Sequence, residues 1–96
     1  WINEIKGFVN MIFLGQETGN VIADLVTGKI NPSGKLPFSY IKKPSDSPAF
    51  KDYQNPNMIH PYYEGIYVGY RYYEKNNIQP LFPFGYGLSY TQFELS

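Results

Sequence analysis

The sequence predicts an α/β fold, and three observations carry that expectation. Phe8–Leu14 is a short apolar run, interrupted only by Asn10 and closed by Gly15. The hydrophobic period then changes, because Val21, Ile22, Leu25 and Val26 share one stripe of a helix. Further on, Leu36, Phe38 and Tyr40 alternate with Lys35, Pro37 and Ser39, the period of a strand.

Taken in order, the length and the β-branched and aromatic content of Phe8–Leu14 predict a strand buried on both faces. Gln16–Gly28 predicts a helix with Glu17 in its first turn, where a negative charge suits the dipole, and with Gly28 and Lys29 as its stop. Together Phe8–Gly28 makes one βα unit. Asn31-Pro32-Ser33-Gly34 is a turn, since Pro32 presets φ at its second position. The strand predicted near Leu36–Ile41 contains Pro37, which places it at a sheet edge. Lys42–Pro61 holds four prolines and few aliphatic residues, and is expected to be a long surface loop. Tyr63–Gly69 could open a short strand that alternation would continue through Tyr70–Asn77, but Glu74, Lys75 and the Asn76-Asn77 stop favour a helical turn over Tyr70–Asn77. Pro80–Tyr90 has too many breakers for regular structure and is read as a packed aromatic loop. Thr91–Leu95 alternates as the start of a strand.

Composition narrows the function classes. Eight Lys and Arg balance eight Asp and Glu among 96 residues, which argues against a nucleic-acid partner, since phosphate binding needs a basic excess. No apolar run reaches the roughly 18–20 residues that span a bilayer. Without Cys there is neither a disulfide framework nor a thiolate metal site, and the compartment stays open. Eighteen aromatic residues are present and eleven follow Pro61, so the chain is a folded, Tyr-rich piece. It begins at Trp1, so that any leader or upstream domain is expected to lie outside it.

Few residues are candidates for chemistry. The Gly15-to-Gly19 corner lacks the Gly-Lys-Ser/Thr of a phosphate loop and the third Gly of a dinucleotide fingerprint; it reads as a tight corner bringing helix to sheet. His60 is the only imidazole, lies in a loop and has no nucleophile-elbow sequence to serve. Glu64, beside Tyr63, is a carboxyl in an aromatic environment, the setting that suits a general acid. Glycoside hydrolysis needs a second carboxylate at a fixed separation, and the sequence pairs Glu64 with none. The bland reading of Glu64 is an ion pair with Arg71 or a hydrogen bond to backbone. The Tyr/Phe cluster fits sugar stacking, yet core packing is its commoner use.

Four blocks nevertheless carry a resemblance. Gly15-Gln16-Glu17-Thr18-Gly19-Asn20-Val21-Ile22-Ala23-Asp24-Leu25 through Gly28, Asn31-Pro32-Ser33-Gly34-Lys35-Leu36-Pro37, Glu64–Lys75 and Pro80–Thr91 occur in the same order as the signature blocks of glycoside hydrolase family 3. The chain resembles that family over about Gly15–Phe93, most of all its bacterial β-glucosidase and β-xylosidase members. Thr18 and Val21 are mild departures, where Gly and Ala are usual.

The resemblance implies a large retaining glycosidase in which a TIM-like barrel supplies an Asp nucleophile. A following α/β sandwich domain supplies the Glu acid/base, and a fibronectin type III-like domain ends many members. It implies that residues 1–90 are the C-terminal portion of the sandwich, and that 91–96 begin the path toward the fibronectin-like domain. Neither catalytic carboxylate maps onto this chain. Glu64 and Tyr63 remain weak candidates for contact with substrate. The implied substrate is a β-linked oligosaccharide or β-glucoside, the implied partner is the barrel of the same protein, and no cofactor or metal is implied. Two other readings compete: a carbohydrate-binding or interaction module with a Tyr-rich face, and a small enzyme acting through Glu64.

Overall fold

Residues 1–53, 55–57 and 59–94 are described by a computed structural model. The chain divides into two units, Trp1–Pro32 with the segment from Tyr90 onward, and Ser33–Ser89.

In the first unit, the period change at Gly15 becomes a 3₁₀ turn, Gly15–Glu17, running directly into helix α1, Thr18–Val26. Two local bonds secure the entry: the Thr18 hydroxyl donates to Gly15 O at 2.6 Å, and the Asn20 amide donates to the Glu17 carboxylate at 2.8 Å. The exit is a Schellman motif. Gly28 N donates to Leu25 O at 3.0 Å and Lys29 N to Asp24 O at 2.9 Å, with Gly28 at φ +73°, the left-handed conformation that glycine adopts freely. The Lys29 ammonium adds an ion pair to Asp24 at 3.0 Å. Tyr90 then reaches this end of the helix, its hydroxyl donating to Leu25 O at 3.1 Å. Asn31 fixes Tyr90 in turn, accepting from Tyr90 N at 2.9 Å while donating to the Thr91 hydroxyl at 3.0 Å. A single Asn thereby satisfies two groups of the segment that follows the aromatic loop.

The second unit is organised by pairing between Lys35–Tyr40 and Leu81–Gly87. Tyr40 and Phe82 form an antiparallel bridge, with Tyr40 N donating to Phe82 O at 2.8 Å. Leu36 N donates to Tyr86 O at 2.9 Å, and Gly85 N to Leu36 O at 2.8 Å. The pairs 40/82 and 36/86 belong to one antiparallel register. Between them the ladder is replaced by a side chain, the Ser39 hydroxyl accepting from Phe84 N at 3.0 Å. In this register Pro37 and Pro83 fall on sites whose backbone nitrogen points away from the partner segment, so neither removes a ladder bond. Gly87 closes the far end. A Cβ there would stand 2.4 Å from Gly34 O, and the Lys35 ammonium donates to Gly87 O. Residues of one parity share a face, so aromatic rings line up: Phe38 on Tyr40 (centroids 5.2 Å apart), Tyr40 on Phe82 (6.2 Å) and Phe82 on Tyr86 (5.2 Å). Helix α2, Tyr70–Lys75, joins this layer by stacking Tyr70 on Phe84 at 4.9 Å. Lys42–Pro61 carries two 3₁₀ turns, Pro44–Asp46 and Pro48–Lys51, each opened by the proline that presets its φ.

The helical elements stand where the sequence placed them, whereas the strands do not. Phe8–Leu14 forms no strand among the described residues. Asn10 Oδ1 accepts from Ile12 N at 3.2 Å, and Ile12 sits at φ +35°; this side-chain-closed turn breaks the extended backbone. The residues are also open, with Phe13 92% exposed, where a strand buried on both faces was expected. Near Leu36–Ile41 the pairing is real, but only the Tyr40 bridge counts as sheet, because Ser39 and the prolines interrupt the ladder. Thr91–Glu94 forms no strand, and Leu95 lies outside the described residues. Of the apolar stripe on α1, Leu25 is buried while Ile22 and Val26 are open. Leu25 is the one buried apolar residue among the described residues.

Two glycines give opposite expectations. Gly87→Ala should cost about 1–3 kcal/mol, since the new methyl overlaps a backbone oxygen that cannot move freely. Gly19→Ala in α1, with open space around its Cβ, should instead gain about 0.5–1 kcal/mol from helix propensity. Urea midpoints of the two variants should therefore move in opposite directions.

Candidate functional site

Glu64 lies in a double turn, Gly65 N donating to Tyr62 O and Tyr67 N to Glu64 O, both at 3.1 Å. The Glu64 side chain is half-buried and Tyr63 is 82% exposed. The expected ion pair with Arg71 is absent among the described residues. The Arg71 guanidinium lies instead over the Tyr70 ring, 5.5 Å from its centroid. A similar cation–aromatic contact puts the Lys75 ammonium 3.8 Å from the Tyr67 centroid, tying α2 back to the turn that holds Glu64. His60 is exposed in the loop before this turn. Among the described residues no three of His, Asp and Glu gather as metal ligands, and no helix is long and apolar enough to cross a membrane. The structure thus keeps Tyr63 and Glu64 together on a surface turn and brings no other sequence-nominated group to them.

A concave region lies elsewhere in the second unit, where the end of α2 faces the aromatic segment. Tyr73, Glu74, Asn77 and Gln79 line it together with Ser39, Tyr70 and Phe84. Tyr73 is half-buried, and its phenol is pushed above its ordinary value chiefly by burial, then by the Asp46 and Tyr72 groups nearby. Asn77 holds φ +53° at the end of α2, where Asn77 N donates to Glu74 O at 3.2 Å and Ile78 N to Tyr73 O at 2.8 Å. This repeats the Schellman arrangement of α1 with Asn in the left-handed position. The sequence reading used Asn77 only as a helix stop. The closeness of Tyr73, Glu74 and Asn77 at the end of α2 was the available signal, but Ser39 comes from a segment far away in the chain.

The sequence model of the glycosyl hydrolase family 3 C-terminal domain matches residues 1–90. The chain belongs to this family. Among curated relatives, the probable β-glucosidase I of Aspergillus terreus is 49% identical over 96 residues, covering all of this chain and 11% of that protein. The β-glucosidase BoGH3A of Bacteroides ovatus is 47% identical over 100 residues, covering all of this chain and 13% of that protein. The relatives are therefore fungal as well as bacterial. Among solved structures, β-glucosidase 3B from Thermotoga neapolitana in complex with glycerol aligns with a TM-score of 0.74 at 51% identity, over 83% of this chain and 12% of that one. The β-glucosidase from Kluyveromyces marxianus in complex with glucose gives the same TM-score and identity over 79% of this chain and 9% of that one. The chain spans about an eighth of the length of the proteins it matches, and its fold is that of the corresponding part of the family's C-terminal domain.

The left-handed cap of α2 is open to test. Asn77→Gly should keep or raise stability by a few tenths of a kcal/mol, because glycine takes φ +53° without strain. Asn77→Val should lower it by about 1–2 kcal/mol. Thermal midpoints of the pair decide the point.

Proposed function

We propose that the chain is the closing part of the α/β sandwich domain of a retaining β-glycosidase that removes terminal, non-reducing β-D-glucosyl residues. On this reading residues 1–90 complete the sandwich and 91–96 lead toward a fibronectin type III-like domain. The observation that carries the proposal is identity of 47–49% across the whole chain to proteins named β-glucosidases. The open apolar surface supports the scaffold role, since Phe13, Val26 and Ile66 are each at least three-quarters exposed, an arrangement suited to cover by further polypeptide. The residues of this chain perform no bond-breaking step in this scheme. The nucleophile and the acid/base reside in other segments, and the paired 36–40 and 82–86 segments, with α2 stacked on them, hold the domain's end in shape. Tyr63, on its exposed turn, is placed to meet substrate or a neighbouring domain at the rim.

The test is hydrolysis of an aryl β-glucoside and of cellobiose by the whole protein, with and without Glu64→Gln. Turnover with net retention, lowered less than about threefold by the substitution, is expected. A loss of the 10²–10⁴-fold size typical of a missing general acid would make Glu64 catalytic and overturn the scaffold role. No turnover by the whole protein would remove the glycosidase itself.

A second reading has one observation in its favour: Tyr62 and Tyr63 are both more than three-quarters exposed and adjacent, as in a sugar-binding platform. Oligosaccharide affinity without turnover in the whole protein would select it. The 96-residue chain on its own should self-associate at micromolar concentration, and sedimentation as a monomer with a cooperative melt would contradict the scaffold reading.

A further inference from the structure

We infer that the cleft between the end of α2 and the Pro83–Phe84 segment is a binding site for one pyranose ring of a saccharide. Its chemistry points there by what it contains and by what it lacks. Among the described residues Glu74 is the only charged side chain lining it, and no Lys or Arg does so, which disfavours phosphates and carboxylates. The polar side chains beside it are the Tyr70 and Tyr73 phenols, the Asn77 and Gln79 amides and the Ser39 hydroxyl. This set contains both donors and acceptors, as a ring of hydroxyl groups requires. Among the described residues the Glu74, Asn77 and Gln79 side chains make no hydrogen bond or ion pair, so their capacity is unspent. Ser39 already accepts from Phe84 N at 3.0 Å and keeps its own proton to donate.

The lining also holds apolar surface, from Ile78, Pro80, Pro83 and Phe84. Phe84 is stacked on Tyr70 at 4.9 Å, which fixes its plane, yet it remains 51% exposed. Flat aromatic surface of this kind packs against the C–H face of a pyranose while the flanking polar groups take its hydroxyls. The Tyr73 phenol, like any tyrosine hydroxyl, can both donate and accept. An ammonium ligand would use Glu74 and the ring faces and leave the two amides idle, so the saccharide is the better fit.

The site is read from this chain's own geometry, but its test uses the proposed glycosidase. The whole protein is first inactivated with a 2-deoxy-2-fluoro-β-glucoside, which traps the nucleophile of a retaining enzyme. Cellobiose is then titrated calorimetrically into the trapped protein and into the trapped Glu74→Gln/Asn77→Gly double variant. Neither substitution removes a structural contact of the side chain it replaces, and glycine preserves the cap of α2. Saturable cellobiose binding that weakens at least tenfold in the double variant is expected. Equal binding by both proteins, no binding to the trapped wild type, or displacement by tetramethylammonium but not by glucose would each overturn the assignment. Should trapping and turnover both fail, the glycosidase reading falls, and the same titration on the untreated protein still decides the cleft.

Discussion

The antiparallel pairing of Lys35–Tyr40 with Leu81–Gly87 is the constraint on which the second unit depends. Two segments about 45 residues apart meet in a single register, with Tyr40 opposite Phe82 and Leu36 opposite Tyr86. The register decides everything built on it, because a slip of one residue would send the aromatic faces to the other side. It also explains why two prolines are tolerated in so short a pairing. Both occupy the parity whose nitrogen faces outward, and Ser39 supplies the bond that the backbone omits. Once the register is set, Phe38, Tyr40, Phe82 and Tyr86 meet ring to ring in sequence, and Phe84 stacks on Tyr70 of α2. Each such ring contact is worth about 0.5–1.5 kcal/mol beyond area burial.

The first unit relies on caps more than on a core. Gly28, Lys29 and Tyr90 between them serve carbonyls at the end of α1, and Asn31 holds Tyr90 in place with both ends of its amide. Leu25 is buried beneath this arrangement while its neighbours on the stripe stay open. The Ala23, Asp24 and Leu25 carbonyls all find donors at that helix end, whereas the burial of apolar surface is sparse. A chain with those properties holds its shape by hydrogen bonds and ring contacts and gains its hydrophobic stabilisation elsewhere. That is consistent with a family in which it makes up about an eighth of the polypeptide.

What was legible in the sequence follows from the range of the forces involved. The helix over Thr18–Val26 and its stop at Gly28 were readable because caps and stripes act within a few residues. The short helix at Tyr70 was readable for the same reason, through its Asn76-Asn77 stop. The four motif blocks named the family outright. The strand expected over Phe8–Leu14 was not realised, since a strand is completed by partners on either side and Asn10 offers Ile12 a local turn instead. The pairing of 36–40 with 82–86 was invisible from either segment alone: alternation suggested the first, but the prolines and glycines of the second hid its extended stretch. The cleft beside α2 was missed because Ser39, Pro83 and Phe84 join its lining through that pairing. Glu64 and Tyr63, chosen for their local setting, lie on a surface turn that the Lys75–Tyr67 contact ties to α2.

Amide hydrogen exchange in the whole protein tests the shared register most directly. The amides of Leu36, Tyr40, Phe82 and Gly85 all donate across the pairing at 2.8–3.3 Å and should exchange slowly, as one cooperative group. Free exchange at Leu36 and Tyr40 while α1 stays protected would show that the two segments do not pair, and the account of the second unit would fail with them.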